Sequence, residues 1–284
     1  MPSARLSLEH TLAGVAEQVT ADSNVASIIR RSPPVHNGLS TTNSHPMATS
    51  SSPLDNVQAL TFDFFGTVLD LAGSLGPAIQ SCLERHESEV TADRFWELWR
   101  GRQRIEQYQD NIVAMGHGGY LVTARRALVY TLSLCRVPAE TADVDQVMTA
   151  WETLSPFDDV AGALPRLADR FRLVGLSNGE PDFLAHLAAN RIGFEFETLI
   201  SVQEVGAFKP HPGVYRHAAG RLGLEPEACL MVSANSFDVL GARTCGFRGA
   251  FVNRNGLPYE DSPYRPDFEA VSYTHLTLPT NREV

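Results

Sequence analysis

The stretch FDFFGTVLD, Phe62 to Asp70, follows apolar Val57, Ala59 and Leu60 and bends at Gly66-Thr67. A short apolar run that ends in turn residues reads as a buried strand. One residue breaks the pattern: Asp63 places a carboxylate where the strand runs into the turn. In open parallel sheets, chemistry collects at the carboxyl ends of strands. The fold therefore depends on whether further strands of this kind follow.

They do. FRLVGLSN (171–178), ETLISV (197–202), ACLMVSAN (228–235) and GAFVNR (249–254) are short apolar runs that end in polar or turn residues. Between the later ones, PDFLAHLAANRIG, HPGVYRHAAGRLG and FDVLGARTCGF have helical spacing and end near glycine. This alternation predicts an α/β fold, a Rossmann-like parallel sheet covered by helices. Asp63, Ser177, Asn178 and Asn235 all fall at its strand ends.

From 71 to 157 no strand pattern is found, only amphipathic helices expected over 77–86, 91–108, 120–135 and 141–153. An all-helical cap, inserted after the first strand, is the expected lid over the strand ends. The α/β core is then 54–70 together with 158–270. Residues 31–53 are rich in Ser, Thr, Pro and Asn and poor in large apolar side chains, and 6–30 have only weak helical character. A disordered extension over 1–53 is expected, with Met47 as an alternative start. The tail VSYTHLTLPTNREV (271–284) fits neither pattern and looks like a translated sequencing adaptor, the alternative being an ordinary polar terminus.

Composition narrows the function. With 284 residues, 43% of them apolar, the chain can bury a sizeable core, and its net charge of -10 provides no attraction to nucleic acid or an anionic membrane. Cys82, Cys135, Cys229 and Cys245 form no C-x-x-C pair, so a reduced, cytoplasmic protein is expected. No apolar run approaches the roughly 20 residues that span a bilayer.

The strand-end Asp63 with its Gly-Thr turn, Ser177-Asn178-Gly179 after the second strand, FKPHPGVY (208–215) and VSANSFD (232–238) come in an order that resembles the haloacid dehalogenase superfamily. Within it, the (S)-2-haloacid dehalogenases are most similar, over about 57–270. The resemblance implies that Asp63 is a nucleophile forming an ester that water cleaves. Thr67 then hydrogen-bonds Asp63, Lys209 restrains it as a carboxylate, and Ser233 and Asn235 complete a polar floor. Asp238 orients Lys209, unless its main role is to cap the helix it begins. Ser177 holds the substrate carboxylate and Asn178 faces the halide, the alternative being a plain turn. Tyr215 falls where the family has a tyrosine, though core packing explains it equally. Arg100, in Leu98-Trp99-Arg100, corresponds to the family's halide-receiving arginine, although single helical arginines are usually solvated.

The departures are informative. Phosphatases of the superfamily carry an acid where Phe65 stands and another where Ala234 stands. Without them, phosphate ester hydrolysis loses its general acid and a magnesium ligand, whereas a halide leaves without a proton. Family members commonly have Tyr at the position of Phe65 and Trp at that of Phe237, which bears on substrate size. The expected activity is hydrolysis of a small anionic 2-haloacid with no cofactor and no metal, in a protein for which a homodimer is plausible. A phosphatase, or a catalytically idle or truncated relative, is the alternative.

Overall fold

A computed structural model describes residue 54 and residues 56–273. The extension over 1–53, including Met47, and the tail from 274 onward lie outside these residues.

Strand β1 (Ala59–Phe62) is buried at every residue. On one side it is flanked by β4 (Arg172–Ser177) and then β5 (Thr198–Ser201). On the other come β6 (Cys229–Ser233), β7 (Arg248–Val252) and β8 (Phe268–Ala270). Every pairing in this six-stranded sheet is parallel, so both faces need cover and the strands are apolar runs. The chain fills one flank of β1 first and then crosses to the other, which makes β1 the switch point where such sheets open a crevice. Phe62 lies level with Gly175 and Val232, so the residues just beyond β1, β4 and β6 emerge together.

The apolar pattern over 57–65 overruns this strand. Asp63 N–H still bonds Val232 O at 3.1 Å, but Phe64 O then accepts from the N–H groups of Thr67, Val68 and Leu69 and closes a tight loop. Gly66 takes φ 86° in it, a conformation in which a side chain is strained.

Leu69–Asp70 (β2) pairs antiparallel with Ser155–Pro156 (β3). This corrects the expectation that 71–157 contains no strand: a two-residue ladder is too short to leave a period in the sequence. Between them lie α1 (Leu71–Arg85), α2 (Ala92–Ile112), α3 (Tyr120–Leu134), α4 (Thr141–Thr149) and a 3-10 turn over Ala150–Thr153. Helix α1 begins at Leu71, not 77, because Asp70 accepts from Gly73 N–H at 3.0 Å and Leu71 and Leu75 are buried. Helices α5 (Val160–Ala168), α6 (Pro181–Leu187), α7 (Pro212–Leu222) and α8 (Ser236–Thr244) accompany the sheet. Neither α5 nor β8 was among the elements expected from the sequence. No helix among the described residues is long and apolar enough to cross a membrane.

The boundary drawn at 270 also moves. Tyr273 is fully buried, sits edge-on to Phe62 at 5.9 Å between ring centroids, and its N–H bonds Asp159 at 2.7 Å. The same aspartate pairs with Arg254, whose guanidinium lies over the Tyr273 ring.

Helix α4 is tied to α1 through Asp143. Its carboxylate accepts from Glu140 N–H at 3.0 Å, completing a capping box, and meets Arg85 and His86 at 3.0 Å each. Cys82 brings a thiol close to His86 and Asp143, but these partners already occupy the Asp143 oxygens, so we read the cluster as a helix cap and ion pair. The Glu140 N–H above all, with Arg85 and His86, holds the Asp143 carboxyl at about 2, against an ordinary 3.8. A carboxyl depressed on folding stabilises above its unfolded value, and that gain is lost as pH falls through the folded one. Asp143→Asn is therefore expected to lower the thermal midpoint at pH 7, with the deficit shrinking between pH 4 and pH 2. A deficit independent of pH would contradict this account.

Candidate active site

Asp63 leaves the end of β1 and is 4% exposed. Its Oδ2 accepts from Thr67 Oγ1 at 2.8 Å and from Asn235 Nδ2 at 2.9 Å. The tight loop places Thr67 back over Asp63. Thr67 Oγ1 itself accepts from Ala234 N–H at 2.9 Å, so its one proton is directed to Asp63. Asn235 N–H donates to Ser233 Oγ at 3.1 Å, and Asn235 Nδ2 also reaches Phe65 O at 3.3 Å. The polar floor thus consists of the ends of β1 and β6 locked together.

Lys209 is 1% exposed. Its Nζ donates to Leu176 O at 2.5 Å, to Asp238 Oδ2 at 2.9 Å and, more loosely, to Asp63 Oδ1 at 3.5 Å. These three partners match the three N–H bonds of an ammonium, so the buried charge is fully solvated by protein. Burial, with the Asp63 charge, pushes the Asp238 carboxyl above its ordinary range, against the pull of Lys209 and Tyr215. Asn235 takes the N-cap position of α8, and Asp238 lies inside the first turn with its oxygens committed to Lys209 and Tyr215. Its role is to hold Lys209, not to cap the helix.

Tyr215, which the resemblance places among the substrate-binding residues, and Asn178, expected to face the halide, bond protein groups instead. Tyr215 is buried behind Asp238, its hydroxyl donating to Asp238 Oδ1 at 2.8 Å and its ring against Phe247. It therefore supports Asp238 from behind. The Asn178 amide accepts from Lys209 N–H at 2.9 Å and donates to Gln107 at 3.3 Å, so it braces the Lys209 loop against the lid. Ser177 is fully buried at the end of β4, and its Oγ has no hydrogen-bond partner. After it comes Gly179, where a Cβ would lie 2.9 Å from Leu184 and 3.1 Å from the Phe65 ring; only glycine lets the turn approach so closely.

The helical block closes on these strand ends through Phe65. Its ring stacks on Tyr120 at 3.9 Å and 12° and lies 5.9 Å from Phe183, with Trp151 edge-on to it. Such a pair contributes about 0.5–1.5 kcal/mol beyond its area. Trp99 Nε1 donates to Ala124 O at 2.7 Å and pins α2 to α3. The buried side of α2 then changes character along the helix. Phe95 and Trp99 are apolar, whereas Gln103, Glu106, Gln107 and Asp110 are polar. Arg100 donates to Gln103 at 2.9 Å, to Tyr120 OH at 3.3 Å and to Phe65 O at 3.5 Å, which brings it over the Asp63 loop.

One guanidinium was overlooked. Arg104 Nη2 donates to Asn235 Oδ1 at 3.0 Å, and its guanidinium lies 5.5 Å from the Phe237 ring centroid. Burial, then Arg100, lowers its pKa to about 10. The available signal was its spacing of one turn from Arg100, on the same side of α2. Gln103, Gln107 and Tyr120 were missed as well, since nothing local marks them.

Fold and site together define an α/β protein with a lidded cluster of carboxylates, cations and an amide at its switch point. Residues 57–246 match the family model described as haloacid dehalogenase-like hydrolase. An (S)-2-haloacid dehalogenase of Xanthobacter autotrophicus is 34% identical over 200 residues, 70% of this chain and 76% of that one. (S)-2-haloacid dehalogenase 4A of Burkholderia cepacia is 29% identical over 234 residues, 80% and 97% of the two chains. Among solved structures, the Xanthobacter L-2-haloacid dehalogenase with chloropropionic acid covalently bound superposes with a TM-score of 0.67 at 27% identity, covering 78% of this chain and 97% of that one. The chain belongs to the haloacid dehalogenase-like hydrolases.

Removing the Tyr215 hydroxyl leaves a buried oxygen of Asp238 without its donor, which costs about 1–3 kcal/mol. Tyr215→Phe should lower stability in urea by that amount while leaving KM nearly unchanged. A raised KM at full stability would instead make Tyr215 a substrate contact.

Proposed function

We propose that this protein hydrolyses (S)-2-haloalkanoic acids to 2-hydroxy acids through an ester on Asp63, without a metal. The observation that carries the reading is the set of groups around Asp63. Thr67, Asn235 and Lys209 address its two oxygens, while Phe65 and Ala234 offer no side-chain oxygen. The superfamily's magnesium does not suit these donors: Lys209 lies between Asp63 and Asp238 and already supplies the positive charge. The reaction therefore proceeds with Lys209 as the cation.

The chemistry follows from the two Asp63 oxygens. Oδ2 carries two short hydrogen bonds, whereas Oδ1 has only the loose contact with Lys209, so Oδ1 has the freer lone pair. It attacks C2 of the substrate as the carbon–halogen bond breaks, with inversion, and the halide leaves with the bonding pair. Oδ2 becomes the ester carbonyl. When water adds to Asp63 Cγ, the negative charge develops on Oδ2, where Thr67 and Asn235 are already aimed. Breaking Cγ–Oδ1 releases the hydroxy acid and restores the carboxylate, with one proton and one halide released per turnover. Phe65 provides no general acid, and a departing halide needs none.

The expected outcome is chloride release from (S)-2-chloropropionate that is unaffected by EDTA and falls to background in Asp63→Asn. Magnesium-dependent phosphate release from p-nitrophenyl phosphate, with no halide release, would overturn the reading in favour of a phosphatase.

A further inference from the structure

Helix α2 contains arginines of two kinds. Arg102 is bound to Glu106 at 2.6 Å and is thereby neutralised. Arg100 and Arg104, one turn apart, form no ion pair among the described residues, although both are half-buried or deeper. Their hydrogen bonds go to neutral acceptors: Gln103, Tyr120 and Phe65 O for Arg100, and Asn235 Oδ1 for Arg104. Arg104 Nε is buried without any partner. Buried charges are ordinarily paired, and these two guanidiniums bond only neutral groups, so this face of α2 is suited to an anion.

Charged groups gather on both sides of the nucleophile, with Glu260 nearby bound to Ser236 Oγ. Lys209 is held between Asp63 and Asp238, whereas Arg100 and Arg104 approach from the helical side. Arg104 reaches the nucleophile's surroundings through the Asn235 amide, and Arg100 through the Phe65 carbonyl. Asn235 Nδ2 donates to Asp63 and to Phe65 O, which also accepts from Arg100, while Asn235 Oδ1 accepts from Arg104.

A 2-haloacid makes two different demands on these cations. Its carboxylate is charged from binding through to the transition state and offers two oxygens to the planar edge of a guanidinium. Its halide acquires charge only as the bond breaks. Arg104, with Nε unused beside Nη2, suits the first demand; Arg100, over the Phe65 carbonyl next to Asp63, suits the second. We propose that Arg104 is a specificity-determining residue that pairs with the substrate carboxylate, leaving Arg100 to the departing halide. This assignment rests on the dehalogenase reading above and shifts the carboxylate from Ser177, on the β4 side of Asp63, toward the β6 side.

An interaction present equally in ground and transition states moves KM, and one made only in the transition state moves kcat. Arg104→Leu is expected to raise KM for (S)-2-chloropropionate about 10- to 100-fold with a far smaller change in kcat. Arg104→Lys should recover part of that loss. Titration of lactate, the hydroxy acid product, into the folded full-length protein should show the same weakening in Arg104→Leu by calorimetry, whereas inhibition by chloride should not change. A fall in kcat at constant KM would overturn the proposal, because Arg104 would then act only by orienting Asn235. Unaltered lactate binding would overturn it as well. The lactate titration needs no turnover, so a wild-type protein that releases no halide contradicts the dehalogenase reading while Arg104 is still tested as a carboxylate anchor. Circular dichroism confirms that each variant is folded.

Discussion

The site depends on keeping one ammonium charged where the fold buries it from solvent. Lys209 Nζ is held by a backbone carbonyl at the end of β4, by Asp238 from α8 and by Asp63 from β1. Truncating one partner of such a buried group costs about 3–5 kcal/mol, since the remaining charge is left without compensation. The sheet topology supplies these partners, because β4, β1 and β6 are adjacent and end level. The lysine in turn accounts for Asp238, and Asp238 accounts for Tyr215. A chain of this kind specifies a single arrangement, with every polar member bonded to the next.

Over this floor the helical block adds a second set of charges with the opposite logic. Lys209 is satisfied from within the protein, whereas Arg100 and Arg104 contact only neutral groups and are left with capacity for an anion. A site that neutralised all its cations internally would bind a small anion weakly, because each hydrogen bond gained would replace one lost. The aromatic stack of Phe65 on Tyr120 ties these two layers together. Phe65 thus takes part in the site through its carbonyl and its packing, while its lack of a carboxyl group restricts the leaving groups that can be handled.

Much of this was legible in the sequence. Strands of a parallel sheet are apolar and end in polar residues, so β1, β4, β5, β6 and β7 stood out, and with them Asp63, Ser177, Asn178 and Asn235. Amphipathic spacing located α2, α3 and α4. What stayed hidden was short or distant. The ladder of β2 with β3 has two residues on each strand, and β8 has three, too few to show alternation. Arg104 meets Asn235 across 131 positions and Asn178 meets Gln107 across 71; nothing near either residue announces its partner. Tyr215 was ambiguous because a buried phenol and a pocket phenol look the same until the acceptor is known. Tyr273 was hidden by its context, a polar tail that the fold nevertheless begins to bury.

The proposed mechanism requires that Asp63 attack carbon and then be released by water at its own carboxyl carbon. Turnover in ¹⁸O-labelled water, followed by digestion and mass spectrometry of the peptide containing Asp63, tests this most directly. The heavy oxygen should enter the Asp63 carboxylate, and the hydroxy acid from a first, single turnover should be unlabelled. Label found only in the product, with Asp63 unchanged after many turnovers, would mean that water attacks the substrate directly and would contradict the account.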